Sequence, residues 1–265
     1  MEDEPEMPRL GLGTYDMKGD EAADAVETAI DIGYRHIDTA QHYDNEEAVG
    51  RGIARADVPR EDLFVATKIW HDDLGYDDVI EGAQESLDRL GLDYIDLLYV
   101  HWPAGDYDAK DTLAAFDELY EEGVIRHVGV SNFTTDLLDE AQEYLDAPIF
   151  AHQVECHPLL QQRNLRIYAA GHDIELVAYS PIARNEVAEN EDIKAVAENY
   201  DATPAQISLA WLLANGIVPI PKSSDEEHLR ANYESLDIEL TQEDKERLDN
   251  LDDEERLIDP DFAPW

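Results

Sequence analysis

The chain has 265 residues, 43% of them hydrophobic, and 63 Asp+Glu against 19 Lys+Arg, a formal net charge of -44 at pH 7. This length suits one barrel domain of about 250 residues, spanning 1–265, better than two units, and the lack of any basic stripe argues against nucleic-acid binding. No apolar stretch approaches the roughly 18 residues of a membrane span, and a single cysteine, Cys156, excludes internal disulfides and a cysteine-rich zinc site.

The start, Met1 to Glu6, is acidic where a secretory signal would be basic and then apolar, so a cytoplasmic protein is expected. Apolar runs then alternate with amphipathic ones. Arg9 to Thr14 reads as a strand and Glu21 to Ile32 as a helix, followed by Tyr34 to Asp38 and Asn45 to Ala54, Leu63 to Lys68 and Tyr76 to Leu90, and Ile95 to His101 and Thr112 to Glu122. The alternation continues with Ile125 to Ser131 and Thr134 to Leu145, Ile149 to Glu155 and Asn164 to Ala170, Ile174 to Ser180 and Thr203 to Leu213, and the last strand, Ile217 to Lys222. Strand and helix repeated in this way give parallel strands joined by right-handed crossovers, and a count of eight predicts an α/β fold, the (β/α)8 TIM barrel. Gly33, Gly91, Gly123 and Gly171 read as left-handed helix caps, and Thr203-Pro204 as an N-cap with proline at the first helical position. Two further helical patterns, Asp225 to Tyr233 and Thr241 to Asn250, precede a tail that is expected to fold over the barrel mouth.

Parallel strands of one barrel share a carboxyl rim, where their terminal side chains converge. Asp38, Lys68 and His101 end consecutive strands, and Tyr43 lies just past the first of them. A phenol with a pKa of about 10 is a sluggish acid at neutral pH. The Lys68 ammonium is expected to lower that pKa, Asp38 to pair with Lys68, and His101 to hydrogen-bond the oxygen that Tyr43 protonates. This set suits reduction of a carbonyl by a hydride donor. The plainer readings are that Asp38 caps the helix near Asn45, that Lys68 and His101 are solvated strand ends and that Tyr43 packs. Each is common singly, and four compatible residues on consecutive strand ends outweigh them.

The later strands end differently. Ser131, Asn132 and Gln153 offer hydroxyl and amide groups for a carboxamide, and Tyr179, before Ser180, offers a flat face for an aromatic ring. Lys222, Ser223 and Ser224 precede a helix start near Asp225 and resemble an anion site. These are the needs of a nicotinamide dinucleotide, and with no glycine-rich fingerprint or P-loop it would be held without a Rossmann unit. Cys156 with His152 and His157 invites a metal reading, but no carboxylate and imidazole set assembles there, so no metal is expected.

Repulsion at -44 should destabilise a compact state in dilute buffer, whereas at molar salt the screening length falls to about 3 Å. Multimolar salt, the setting of a halophile, is therefore expected. An acidic chain that binds a basic partner or is partly disordered would carry its acids in a block, and here they are spread over periodic helices.

Gly11-Leu12-Gly13-Thr14, Gly33 to Ala40 leading to Tyr43, Thr67-Lys68-Ile69-Trp70, Leu97 to Trp102, Gly129 to Phe133, Gln153 to Pro158, Ala178 to Pro181 and Ile220 to Ser223 together resemble the aldo-keto reductases, NAD(P)H-dependent barrels. The short tail, ending Asp261-Phe262-Ala263-Pro264-Trp265, looks like prokaryotic members such as 2,5-diketogluconate, glyoxal and aldehyde reductases. The resemblance implies Tyr43 as general acid, Lys68 and Asp38 as its tuning pair and His101 as carbonyl orienter. It implies NADP(H), or NAD(H), extended across the barrel top: Ser131, Asn132 and Gln153 on the carboxamide, Tyr179 under the ring, Lys222 and Ser223 near the 2′-phosphate and Asn232 near adenine. Gly13, Thr14, Asp38, Ser180, Pro181, Ile182, Ser224 and His228 are expected along the same cofactor, so that 223–265 carries the phosphate loop, the extra helices and the tail. A small carbonyl substrate would be lined by Tyr15, Trp70 and Trp102 with Phe262 or Trp265, in a monomer. Related barrels that bind cofactor as regulatory subunits supply the alternative.

The chain departs from the family pattern in several places. His228 stands where NADPH-preferring relatives carry an arginine, which removes a permanent fork of donors for which Lys222 and Arg230 would have to compensate. Tyr15 replaces a common tryptophan, Ala183-Arg184 a glycine, and the N-terminal hairpin is shortened.

Overall fold

The computed structural model describes residues 7–251 and 255–265; the acidic start read as a non-signal lies outside them. Eight parallel strands follow one another around the sheet in chain order: β1 (Gly11–Gly13), β2 (His36–Asp38), β3 (Phe64–Ile69), β4 (Ile95–Val100), β5 (Ile125–Ser131), β6 (Ile149–Glu155), β7 (Glu175–Tyr179) and β8 (Val218–Pro219). Between them run α1 (Gly19–Ile32), α2 (Glu46–Arg55), α3 (Tyr76–Leu90), α4 (Ala109–Glu121), α5 (Thr135–Tyr144), α6 (Arg163–Gly171), α7 (Glu191–Asn199) and α8 (Pro204–Ala214), and after β8 come α9 (Glu226–Glu234) and α10 (Gln242–Asp249).

The period of two along each strand sorts the side chains. Phe64 and Ala66, Leu97 and Tyr99, Ala151, Val177 and Val218 fill the barrel interior together with Met7. The intervening Ile69, Leu98, Val100, Val128, Val130, Val154 and Leu176 pack outward with the helices. Continued to the carboxyl ends, the interior set reaches Asp38, Lys68, His101, Ser131, Gln153 and Tyr179. The same alternation that builds the core therefore aims the candidate site residues at one mouth.

Closure depends on β8, which is shorter than its apolar run because Pro219 and Pro221 cannot donate to a ladder. Beyond it, Gly13 bridges Lys222 and donates its N–H to Pro221 C=O at 3.2 Å. A Cβ on Gly13 would stand 2.6 Å from the Ile220 carbonyl oxygen, so only glycine lets β1 come this close to the last strand.

Helix punctuation agrees with the sequence at Gly33, Gly91 and Gly123, which have φ of 132°, 68° and 73°. Gly171 departs from it: it ends α6, His172 caps the helix and Asp173, at φ 54°, takes the left-handed conformation. Thr203 accepts from the Gln206 N–H in a full capping box with Pro204 at the helix start. Helix α7 is not among the elements expected from the sequence; its N-cap Asn190 accepts from Asp192 and Ile193 N–H while Ile193, Val196 and Ala197 are buried. Among the described residues no helix is long and apolar enough to cross a membrane.

Candidate active site

At the centre of the mouth lies Lys68, fully buried at the end of β3. Its Nζ donates to Asp38 Oδ1 at 2.5 Å, Thr39 C=O at 2.8 Å and the Tyr43 hydroxyl at 3.4 Å. These three acceptors match the three protons of an ammonium. Asp38, 1% exposed, accepts from Gln153 Nε2 at 2.7 Å through its other oxygen. The pair is thus paired and hydrogen-bonded, the condition under which buried charge is tolerated.

Tyr43 closes the short 3-10 turn Gln41–Tyr43 that follows β2. Its ring meets the His101 ring edge-on at 5.8 Å and the Tyr15 ring at 5.2 Å, and Lys18 Nζ donates to its carbonyl at 2.6 Å. His101 is 7% exposed, and its Nδ1 has no hydrogen-bond partner among the described residues. Burial, with Lys68, His42 and His71 adding to it, holds His101 well below the usual imidazole pKa, so it is a neutral ring at neutral pH.

The plainer readings fail on this geometry for Asp38, Lys68 and His101, while the Tyr43 ring does pack against His101 and Tyr15. Asp38 does not cap α2; Asn45 stands there and donates to Thr14 and Met17 carbonyls at 2.8 and 3.0 Å, tying the loop after β1 to β2. Lys68 and His101 are not solvated. The expectation of an acidified tyrosine is corrected as well: burial raises the Tyr43 pKa, and the opposing pull of Lys68 offsets only part of the rise. For Lys68, burial works against the charge, but Asp38 and Tyr43 outweigh it and the net shift is upward. The protons therefore sit on both Lys68 and Tyr43.

Beside this group, Tyr179 OH donates to Asn132 Oδ1 at 2.8 Å, Asn132 Nδ2 donates to His101 C=O and Ser131 Oγ at 3.0 Å each, and Ser131 Oγ donates to Gln153 C=O at 2.9 Å. Asn132 takes φ 64°, which turns its amide across the strand ends. The structure brings together the four groups named for a carboxamide and a ring. Thr14 joins them through Asp38, whose carbonyl accepts both its N–H and its Oγ1 at 3.0 Å.

The loop named for phosphate is less basic than its sequence suggested. Lys222 is exposed and forms no ion pair among the described residues, and Ser223 donates to Asp225 C=O at 3.3 Å. However, Ser224 Oγ is engaged by Glu21 at 2.7 Å, Arg230 by Glu226 at 2.7 Å, and exposed His228 lies 3.8 Å from Asp225. Arg230 is therefore committed elsewhere. Ser180, Ala183, Arg184 and Asn185 have φ between 47° and 79°, so the loop after Pro181 and Ile182 keeps a glycine-like backbone although Ala183 and Arg184 replace the glycine. Asn232 is buried in α9, with its carbonyl accepting from Ser235 at 2.6 Å.

Of the aromatic residues named for the substrate, Trp70, Trp102, Phe262 and Trp265 lie together, and Tyr15, exposed, meets Tyr43 instead. Trp102 meets Phe262 at 5.3 Å and Trp265 at 5.7 Å, and Trp70 lies 5.0 Å from His101. Two residues of this group escaped the sequence reading: His42, stacked on Trp70 at 3.7 Å, and His71, 4.5 Å from Phe262. Their only signal was adjacency to Tyr43 and Trp70. Cys156 is buried, with its thiol pushed up to about 12 by burial, and His157 is turned to Glu155 at 3.1 Å.

Together these features define an α/β barrel with a buried Lys68–Asp38–Tyr43 cluster and a hydrogen-bonded set of amide and hydroxyl side chains at its carboxyl rim. Residues 9–253 match the sequence profile of the Aldo/keto reductase family. The chain is 43% identical to a glyoxal reductase of Bacillus subtilis (strain 168), over 95% of this chain and 91% of that protein. It is 39% identical to the methylglyoxal reductase DkgB of Escherichia coli O157:H7, over 97% and 98% of the two chains. The crystal structure of an aldo-keto reductase enzyme from a Medee basin deep-sea metagenome library superimposes with a TM-score of 0.93 at 39% identity, covering 98% of this chain and 97% of that one. The chain belongs to the aldo/keto reductase family and is an oxidoreductase acting on carbonyls.

Proposed function

We propose that the protein reduces small aldehydes and ketones to alcohols with NADP(H), and also accepts NAD(H). The observation that carries this reading is a fully buried ammonium shared by Asp38, Thr39 C=O and the Tyr43 hydroxyl beside a neutral imidazole. The names of the relatives, glyoxal and methylglyoxal reductases, support a small dicarbonyl as substrate.

The donor set fits a nicotinamide dinucleotide. Ser131, Asn132 and Gln153 present hydroxyl and amide groups complementary to a carboxamide, the Tyr179 ring is fixed by its bond to Asn132, and Lys222 with the α9 N-terminus is available to phosphate. When bound, the reduced nicotinamide supplies the hydride. His101, uncharged, donates a hydrogen bond to the carbonyl oxygen and holds it beside Tyr43. Tyr43 delivers the proton to that oxygen as negative charge develops there. Lys68 stabilises the phenolate left behind, and Asp38 keeps Lys68 charged and in place. Trp70, Trp102 and Tyr15 exclude water from the reacting carbonyl. A raised tyrosine pKa suits this role, because an alkoxide is a stronger base than a phenolate and the donor needs only to remain protonated until the alkoxide forms.

Tyr43→Phe is expected to abolish turnover of glyoxal or a nitrobenzaldehyde in molar salt while the cofactor dissociation constant, read by quenching of tryptophan fluorescence, stays unchanged. The wild-type kcat/KM should show no alkaline loss below the ordinary tyrosine pKa of 10, since the Tyr43 shift is upward. Most of the rate surviving in Tyr43→Phe, or an alkaline limb near neutrality, refutes the assignment of the proton donor.

A further inference from the structure

Glu155, the last residue of β6, is fully buried, yet Lys and Arg side chains form no ion pair with it among the described residues. Such a carboxylate is costly unless each oxygen is hydrogen-bonded. Here one oxygen accepts the Leu257 N–H and the other the Ile258 N–H, both at 2.9 Å, and His157 Nε2 lies 3.1 Å from the first. Two consecutive main-chain amides of the C-terminal tail thus meet the two oxygens of one carboxylate. The tail over 255–265 has no strand or helix of its own, and a further tie to the barrel is the Glu255 N–H to Leu159 C=O bond at 2.8 Å. Beyond the anchor, Arg256 lies over the Trp265 ring at 3.8 Å and Trp265 Nε1 donates to Asp259 at 2.9 Å. Phe262 and Trp265 are thereby set against Trp102. Glu155 is also two residues past Gln153 on the same face of β6, and it pairs in register with Tyr179.

We infer that Glu155 is a positioning residue for carbonyl reduction: by holding the Leu257 and Ile258 amides it fixes where Phe262 and Trp265 stand over the mouth, and so sets the preference between aromatic and small carbonyls. The preference rests on the function proposed above; the anchoring does not. A carboxylate accepts from both amides, whereas the amide of a glutamine accepts at one oxygen only and turns an N–H toward the other donor. Glu155→Gln therefore releases one of the two bonds while conserving shape.

The peptide bond between Arg256 and Leu257 carries one of the anchored amides, and trypsin cleaves after arginine. In Glu155→Gln, release of the 257–265 peptide from the folded full-length chain in molar KCl, followed by mass spectrometry, is expected to accelerate roughly tenfold, the scale of one hydrogen bond to a charged group. The KM for a nitrobenzaldehyde should rise by a similar factor, with kcat, the KM for glyoxal and the cofactor dissociation constant each within about twofold of wild type. Adding Phe262→Ala should abolish most of the Glu155→Gln effect on the nitrobenzaldehyde KM, because the two act through one contact. Unchanged peptide release overturns the anchoring whatever the activity. Accelerated release with both KM values moving together, or with full additivity to Phe262→Ala, overturns the role in specificity. Accelerated release in a protein whose parent turns over no carbonyl refutes the proposed function and leaves the anchor standing. If Glu155→Gln does not fold, Ile258→Pro deletes one donor from the tail side and carries the same expectation for the two KM values.

Discussion

Removing Lys68 separates the structural from the chemical role of the buried pair. In Lys68→Met the Asp38 carboxylate, 1% exposed, keeps Gln153 Nε2 as a partner but loses the ammonium 2.5 Å away. Breaking a buried ion pair from one side costs about 3–5 kcal/mol, because the charge left behind is uncompensated. Set against a total stability of about 5–15 kcal/mol, that is a large fraction. In Asp38→Asn/Lys68→Met no charge remains, the asparagine oxygen can still accept from Gln153, and replacing both partners is close to neutral. The double variant should therefore recover at least about 2 kcal/mol relative to the sum of the two single variants. Urea unfolding in molar KCl, followed by circular dichroism, measures all four proteins, with urea chosen so that the denaturant adds no salt. Turnover should be lost in all three variants, the stable double one included. A double variant as unstable as the sum of the singles would show that the two groups do not depend on each other.

Three further outcomes follow from the charge distribution. In dilute buffer far-UV circular dichroism should show loss of structure that returns with added KCl, as the screening length falls from about 30 Å at 0.01 M to about 3 Å at 1 M; full folding without salt contradicts this. His228→Arg should tighten NADPH roughly tenfold, about 1.4 kcal/mol, and leave NADH unchanged, since the histidine is exposed and Arg230 is already held by Glu226; an equal change for both cofactors places the phosphate elsewhere. Burial lowers His36 to about 4 and His152 to about 3, so below 6.5 the unfolded chain takes up protons that the folded chain refuses. Stability from these two rings is intact above pH 6.5 and should fall by about 1 kcal/mol per pH unit for each ring as the pH drops toward 4; His152→Gln, whose amide oxygen can still accept from the Phe133 N–H, should remove one ring's share of the slope, about 1 kcal/mol per pH unit, in urea titrations, and an unchanged slope refutes the assignment.

The barrel was legible because its signals are local and repeated. Their places at the ends of the runs Leu63 to Lys68 and Ile95 to His101 put Lys68 and His101 at one rim without any knowledge of the neighbouring strands. Where the sequence misled, the causes differ in kind. β8 stops early because two prolines interrupt an apolar run that otherwise reads as strand. Helix α7 was missed because only Ile193, Val196 and Ala197 mark its buried stripe among acidic neighbours. The protonation of Tyr43 depends on how much water the folded mouth excludes, a quantity that no spacing carries. Glu155 is a sharper case, since its partners are main-chain amides about 100 residues away, bonded at 2.9 Å, and a main-chain donor leaves no residue-type signature.

The two electrostatic regimes of this molecule are separated by depth. Among the described residues, acids that contribute to the net charge of -44 line the outer helix faces, such as Asp77, Asp78, Glu81, Glu85 and Asp88 of α3, all exposed. Mobile ions reach such groups, so salt relieves their repulsion. Ions do not enter the space among Lys68, Asp38 and Tyr43, where Lys68 and Asp38 are at most 1% exposed, and screening there is weak at any salt concentration. The salt that relieves the surface repulsion therefore leaves the field at the Tyr43 oxygen nearly unchanged. The exposed loop proposed to take the phosphate belongs to the outer regime: Glu21 bonds its Ser224, and exposed Asp225, Glu226 and Glu227 follow it, so added salt should weaken their repulsion of a 2′-phosphate. Within one cofactor, recognition of the adenosine end should thus depend on ionic strength while the chemistry at the nicotinamide end does not, because burial rather than composition decides which charges the solvent can screen.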